Sequence, residues 1–259
     1  MQLIDSHCHI NLACFDADRQ VVLQRALENN ISDIIVPAIV ASHWQSLTSL
    51  GKQYSHLKIA YGLHPMFMSQ HQQHDLETLE QWLQAETAIA VGECGLDFFI
   101  FDQHTDIQQA KKNQQHLFIQ QLALAKHYKL PVIIHSRKSL DLVLKEIRQQ
   151  PDLHGVVHSF SGSQQQAHQL IDQGFYLGFG GPITYTRAKK LRHLVRNLPL
   201  DALLLETDAP DQPDASHYGL RNEPAFLVNI AQTVAQLRGI SIQQVADITT
   251  DNAKKLFNL

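Results

Sequence analysis

Two histidines stand two residues apart near the start of the chain, in Asp5-Ser6-His7-Cys8-His9. Further histidines and carboxylates close a series of short apolar runs. Glu93 follows the run 88–92, His135 ends 131–135, His158 ends 155–158, and Glu206-Thr207-Asp208 follows 203–205. Side chains alternate along an extended chain, so the period of two predicts one shared face for Asp5, His7 and His9, with Cys8 on the other. A single such residue at the end of a strand means little. His7, His9, Glu93, His135, His158 and Asp208 on one rim are another matter, because burying that many polar and charged groups without a partner is costly. A metal centre supplies the partner. Four imidazoles and two carboxylates suit Zn²⁺, Mn²⁺ or similar ions better than Ca²⁺, which favours oxygen alone. Six protein ligands exceed the three of one ordinary catalytic zinc. They fit two divalent ions sharing a carboxylate, with positions left for water.

The elements that must place these residues are legible as eight apolar runs, at 3–6, 33–37, 58–62, 88–92, 131–135, 155–158, 175–178 and 203–206. Several are apolar almost throughout, as in DIIVP, AIAVG and PVIIH. Continuous runs indicate strands buried on both faces, as in a parallel sheet. Parallel strands need crossings, and helical stripes lie between them. Residues 18–29 carry Val22, Leu23, Ala26 and Leu27 at helical spacing, and residues 112–128 carry Phe118, Leu122 and Ala125. Gly174 stops a helix over 164–173. Strand and helix alternating eight times predict an α/β fold, a (β/α)8 TIM barrel of the amidohydrolase-like kind, occupying the whole chain 1–259 as a single domain. An open doubly wound sheet is the alternative, weakened because no GxGxxG follows the first strand. Residues 223–259 read as two helices closing the barrel. Every candidate ligand then falls at the C-terminal ends of strands, where such barrels keep their active sites.

Composition agrees with an enzyme. The chain has 259 residues, 44% apolar and 18% charged, enough for a sizeable core. A net charge of −4 argues against a protein that coats nucleic acid, although bound metal would add local positive charge. The three cysteines, Cys8, Cys14 and Cys94, show no disulfide or CxxC spacing, which points to a reducing cytoplasm. MQLIDSHCH reads as structure rather than as a leader, and no apolar run is long enough to span a membrane. Nothing demands an obligate protein partner.

The motifs DSHCH at 5–9, GLHP at 62–65, GECGLDFF at 92–99, QLALAKHYKLPVIIHSR at 121–137, HSFSG at 158–162, ETDAPD at 206–211 and RNEP at 221–224 occur in order along the chain. Their combination resembles the TatD family of metal-dependent hydrolases and deoxyribonucleases. GFGGPITYTRA and ETDAPDQP are similar to a YjjV-like branch. The resemblance implies that His7, His9 and Asp208 bind one metal, His135 and His158 a second, and that Glu93 bridges them. It implies two divalent ions per subunit (Zn, Mg or Mn) and DNA as substrate. Met66 stands where many relatives carry a second His, and Phe98 and Phe99 replace a frequent Tyr pair. These departures bear on substrate preference and leave the metal centre intact.

Other residues carry two readings each. Asp208 is the expected general base, beside the attacking water as well as on a metal. Glu206, two residues earlier, faces the same interior and either assists catalysis or forms a structural ion pair. Arg137 shares a face with His135 and either grips a phosphate bidentately or makes a salt bridge. His64 in GLHP reaches the rim, as a substrate contact or an outer support. The basic run 187–196 reads as a solvated helix face, with a DNA-backbone track as the sharper alternative. Phe98, Phe99 and Phe101 either stack on bases or pack beneath their loop. Cys94 reads as a small packing residue. The remaining histidines, His104 among them, carry no assigned role. A nuclease is the first functional expectation. A hydrolase of an amide, lactone or ester bond using the same metals is the second, and a non-catalytic metal-binding barrel is the third. A wide positive rim favours the first and a small closed pocket the second.

Overall fold

A computed structural model describes residues 1–101 and 106–259. His104 and part of the polar stretch 100–112 lie outside the described residues. Eight parallel strands form: β1 (Leu3–Asp5), β2 (Ile31–Pro37), β3 (Leu57–Ala60), β4 (Val91–Asp97), β5 (Val132–Arg137), β6 (Gly155–Val157), β7 (Phe175–Phe179) and β8 (Leu203–Leu205). Pairing runs β1-β2-β3 and β4-β5-β6-β7-β8. Two seams join these groups into a barrel. At one, Tyr61 bridges to Val91. At the other, the Ser6 amide donates to Leu205 O at 3.0 Å and the Asp208 amide to His7 O at 2.9 Å. No open edge is left at either seam, so strand backbone groups find partners around the ring.

Helices α1 (Arg19–Glu28), α2 (Trp44–Gln53), α3 (Asp75–Ala85), α4 (Ile107–Tyr128), α5 (Leu140–Arg148), α6 (Gln164–Asp172), α7 (Lys189–Asn197), α8 (Leu227–Arg238) and α9 (Ile242–Phe257) follow in order. The apolar stripe expected on the first helix is real at Val22, Leu23 and Ala26, which pack against β2 residues such as Ile34 and Val36; Leu27 stays exposed. Ser163 and Ser241 each start a helix with a reciprocal cap to a Gln three residues on. A second buried cluster gathers Ile4, Ile35, Ala60, Ile133, Val156 and Leu204 from β1, β2, β3, β5, β6 and β8. Ala253, Leu256 and Phe257 of α9 complete it, so this helix stops one end of the barrel. Ile133, Val156 and Leu204 each sit two residues before a site residue, so the stopper and the site occupy opposite ends of one interior. Among the described residues no helix is long and apolar enough to cross a membrane.

Two expectations need correction. β4 does not end at Gly92; it runs to Asp97, pairing Cys94 with Ile134, Gly95 with His135 and Asp97 with Arg137. Glycine permits this. A Cβ on Gly95 would lie 2.0 Å from His135 O, and its φ of +138° suits glycine. Glu93 therefore sits inside the barrel rather than on a loop. The alternation 5-7-9 is also broken. The chain bends at Ser6, and the Asp5 carboxylate turns to the stretch after β8. There it accepts from the Thr207 amide at 2.9 Å and the Thr207 hydroxyl at 2.5 Å. Asp5 thus ties the two sides of a barrel seam and does not join the imidazoles.

Candidate active site

The strand ends bring His7, His9, Glu93, His135, His158 and Asp208 together around one carboxylate. Glu93 is 1% exposed, and its two oxygens face different groups. Oε2 lies 3.2 Å from His7 Nε2 and 3.3 Å from His9 Nε2. Those two nitrogens are 3.2 Å apart, with Asp208 Oδ1 at 3.7 and 3.8 Å from them. Oε1 lies 3.2 Å from His135 Nδ1 and 2.9 Å from each of His158 Nε2 and His64 Nε2. His64, expected as a substrate contact or an outer support, thus stands at hydrogen-bond distance from Glu93 in this second group.

These residues fit metal ions. Ligands about 2.0–2.2 Å from a tetrahedral ion stand roughly 3.3–3.6 Å from each other, close to the spacings around both oxygens. Three overlapping sets have ligand atoms mutually within 4.8 Å: His7, His9 and Asp208; His7, Glu93 and His158; His64, Glu93 and His135. Glu93 Oε2 is buried without a hydrogen-bond partner. Charge points the same way. Burial opposes the Glu93 carboxylate, but His64, His158 and His7 outweigh it and hold its pKa well below the usual range. Burial opposes the His158 cation, yet Glu93 pushes its pKa up to about 10. Burial drives His64 down to about 4. Without a metal the centre must collect protons on some of its imidazoles, and divalent ions would replace them.

Three further groups set the geometry. Asp97 Oδ2 accepts from His135 Nε2 at 2.9 Å, which leaves Nδ1 to face Glu93. Sequence reading passed over Asp97, although 93, 95 and 97 share the period of two. Gln212 donates from Nε2 to Asp208 Oδ2 and to Ser159 Oγ, the latter at 3.0 Å. Asp208 and Ser159 both adopt positive φ, +56° and +47°, and the Gln212 bridge holds these two turns together. Nothing in the sequence signalled Gln212, since an amide is not a usual metal ligand. Glu206 lies behind His158, with Oε1 accepting from the Ser159 amide at 2.5 Å and 3.8 Å from His158 Nδ1. Burial pushes its pKa up to about 8. Glu206 is not among the residues lining the cavity, and its contacts are with the His158–Ser159 turn.

The cavity over this centre has a volume of about 640 Å³ and is lined by His9, His64, Glu93, His135, His158 and Asp208, with Ile39, Phe67, Phe179 and Ile183 as apolar walls. Arg137 lines its edge, with its guanidinium carbon 3.8 Å from the Phe99 ring centroid. Lys138 Nζ lies 4.8 Å from the same ring, and Phe99 is half exposed. Phe98 instead turns inward and stacks on Phe101 at 5.9 Å. Cys94 packs in the core. The basic run scatters: Lys190, Arg192 and Arg196 donate to the carbonyls of Ser161, Ile183 and Leu237. It forms no continuous track.

Comparison with known proteins agrees with this geometry. Residues 4–258 match the family model described as TatD related DNase. The chain is 40% identical to the metal-dependent hydrolase YjjV of Escherichia coli K12, covering 100% of this chain and 98% of that one. It is 33% identical to the metal-dependent hydrolase YabD of Bacillus subtilis 168, over 99% of both. The crystal structure of YjjV, a TatD homologue from E. coli K12, superposes with a TM-score of 0.92 at 39% identity, covering 99% of this chain and 98% of that chain.

Proposed function

The chain belongs to the TatD family of metal-dependent hydrolases, and we propose that the bond it hydrolyses is a phosphodiester of DNA. The observation that carries this reading is the cationic edge of the cavity. Arg137 and Lys138 lie over the exposed Phe99 ring, where a guanidinium can grip phosphate with two donors. A recess of about 500 Å³ bordered by Lys138 and Lys190 also adjoins the cavity, with Ser136, Phe160 and Ser161 lining both. A small metabolite needs no such adjoining recess. An amide, lactone or ester substrate remains the second reading, because the same centre would serve carbonyl chemistry.

His7, His9, Asp208 and Glu93 would hold one divalent ion, and Glu93, His135 and His158, with His64 beside them, the other. Such ions, when bound, would supply Lewis acidity toward a phosphoryl oxygen and would lower the pKa of water from 15.7 to about 7. The protein's own groups do the rest. Arg137 orients the phosphate by its non-bridging oxygens. Asp208, its Oδ2 held by Gln212, accepts a proton from the attacking water. The water oxygen bonds to phosphorus as the P–O ester bond breaks, and the proton passes to the departing alkoxide. Asp97 fixes the His135 ring throughout. Ile39, Phe67, Phe179 and Ile183 keep bulk water from the centre.

The test is hydrolysis of end-labelled single- and double-stranded DNA by metal-free protein reconstituted with Mg²⁺, Mn²⁺ or Zn²⁺. Metal-dependent cleavage that disappears in Glu93→Ala is the expected result. A folded, metal-loaded protein that cleaves no DNA would move the assignment to the carbonyl substrates.

A further inference from the structure

Beside the metal cavity, at the turns after β7 and β8, lies a recess that the chemistry above does not use. It is an open space of about 620 Å³, and Pro182, Asp211 and Gln212 line both it and the metal cavity. The two spaces therefore adjoin, with these three residues between them. The lining of the recess away from the metal cavity carries Tyr185, Tyr218 and Arg187. Tyr185 is fixed by its hydroxyl, which donates to Pro213 O at 3.0 Å. Tyr218 stands edge-on to it at 6.3 Å and is 75% exposed, and Leu220 beside it is 62% exposed. The Arg187 guanidinium carbon lies 5.2 Å from the Tyr185 ring centroid, and Arg187 makes no ion pair among the described residues.

Single exposed apolar side chains are ordinary on a protein surface. Here two large ones adjoin a fixed ring and a guanidinium without an ion pair, in a space bordering the metal cavity. The occupant that the closeness to the metal cavity and the Arg187 guanidinium favour is the substrate itself. An aromatic face takes a flat ring by stacking, and a neighbouring guanidinium takes the anion attached to it. Asp211, at the junction of the two spaces, repels phosphate and directs it to the Arg187 side. We propose that this recess is a second subsite, which takes the base and phosphate of a nucleotide beyond those flanking the cleaved bond. The inference rests on the phosphodiester reading and adds Tyr218 and Arg187 as residues that set the preference for longer chains.

The experiment compares the metal-loaded wild-type protein with Tyr218→Ala, Tyr218→Phe and Arg187→Gln on a thymidine dinucleotide and a thymidine hexanucleotide. The dinucleotide fills only the positions next to the cleaved bond. Tyr218→Ala should raise KM for the hexanucleotide roughly tenfold, the scale of one lost base stack, with kcat and all dinucleotide kinetics unchanged. Tyr218→Phe should keep the wild-type KM. Arg187→Gln should flatten the salt dependence of hexanucleotide KM by about 0.7 in a log–log plot, the loss of one phosphate contact. An unchanged hexanucleotide KM in Tyr218→Ala overturns the subsite. If neither oligonucleotide is cleaved, the phosphodiester reading fails by itself, and fluorescence anisotropy of labelled hexanucleotide then decides about the recess. Weaker binding by Tyr218→Ala than by wild type supports it; equal binding, or none by either, overturns it.

Discussion

Glu93 is the residue on which both halves of the centre depend, because each of its oxygens serves a different group of imidazoles. Its neighbours divide into residues that could touch an ion and residues that aim them. Gln212 belongs to the second kind, bridging Asp208 and Ser159 across two turns of positive φ. Gln212→Leu frees Oδ2 of Asp208 and should weaken ion binding about tenfold to a hundredfold, as loss of an outer-shell partner typically does. Competition against a chromophoric chelator measures this, and wild-type affinity in the variant would show that the bridge is incidental. At this scale the sequence was informative where chemistry restricts residue type. Imidazoles and carboxylates at strand ends announced themselves. Gln212 did not, since an amide is common at surfaces and its partner Ser159 lies 53 positions away. Asp5 misled, because its period of two with His7 was real in sequence and undone by the bend at Ser6.

Strand β4 is the element that does most to shape the centre. It carries Glu93 and Asp97 on one side of a strand paired tightly with β5. That pairing requires the missing side chain at Gly95. Gly95→Ala would place a Cβ against His135 O and force an unfavourable φ, costing about 3 kcal/mol. Denaturant unfolding should register the loss, together with impaired metal binding because His135 sits opposite. A variant as stable as wild type would mean that β4 can slide without consequence. The sequence reading placed this strand at the apolar run 88–92, which stops before the polar Glu93. The structure extends it to Asp97, because Gly95 lets the backbone come close to β5. The helices were easier to read, because apolar stripes such as Val22, Leu23 and Ala26 are local signals.

The whole molecule is a barrel stopped at one end by α9 and open at the other over the metal cavity. Eight apolar runs made that architecture legible, because buried parallel strands leave little freedom in composition. The recesses beside the cavity were not legible. They arise where turns from different strands meet, and no local pattern records such meetings. Net charge was similarly mute: the chain totals −4, yet Arg137, Lys138, Arg187 and Lys190 border the three adjoining spaces. Placement, not total, decides what a polyanion meets. The account as a whole rests on one carboxylate joining two ion positions. The most direct test is calorimetric titration of metal-free protein with Zn²⁺, checked by elemental analysis, for wild type, His9→Ala and Glu93→Ala. Two ions per chain in wild type, selective weakening of one in His9→Ala and weakening of both in Glu93→Ala is the predicted result. A single ion in wild type, or two retained at full affinity in Glu93→Ala, would contradict it.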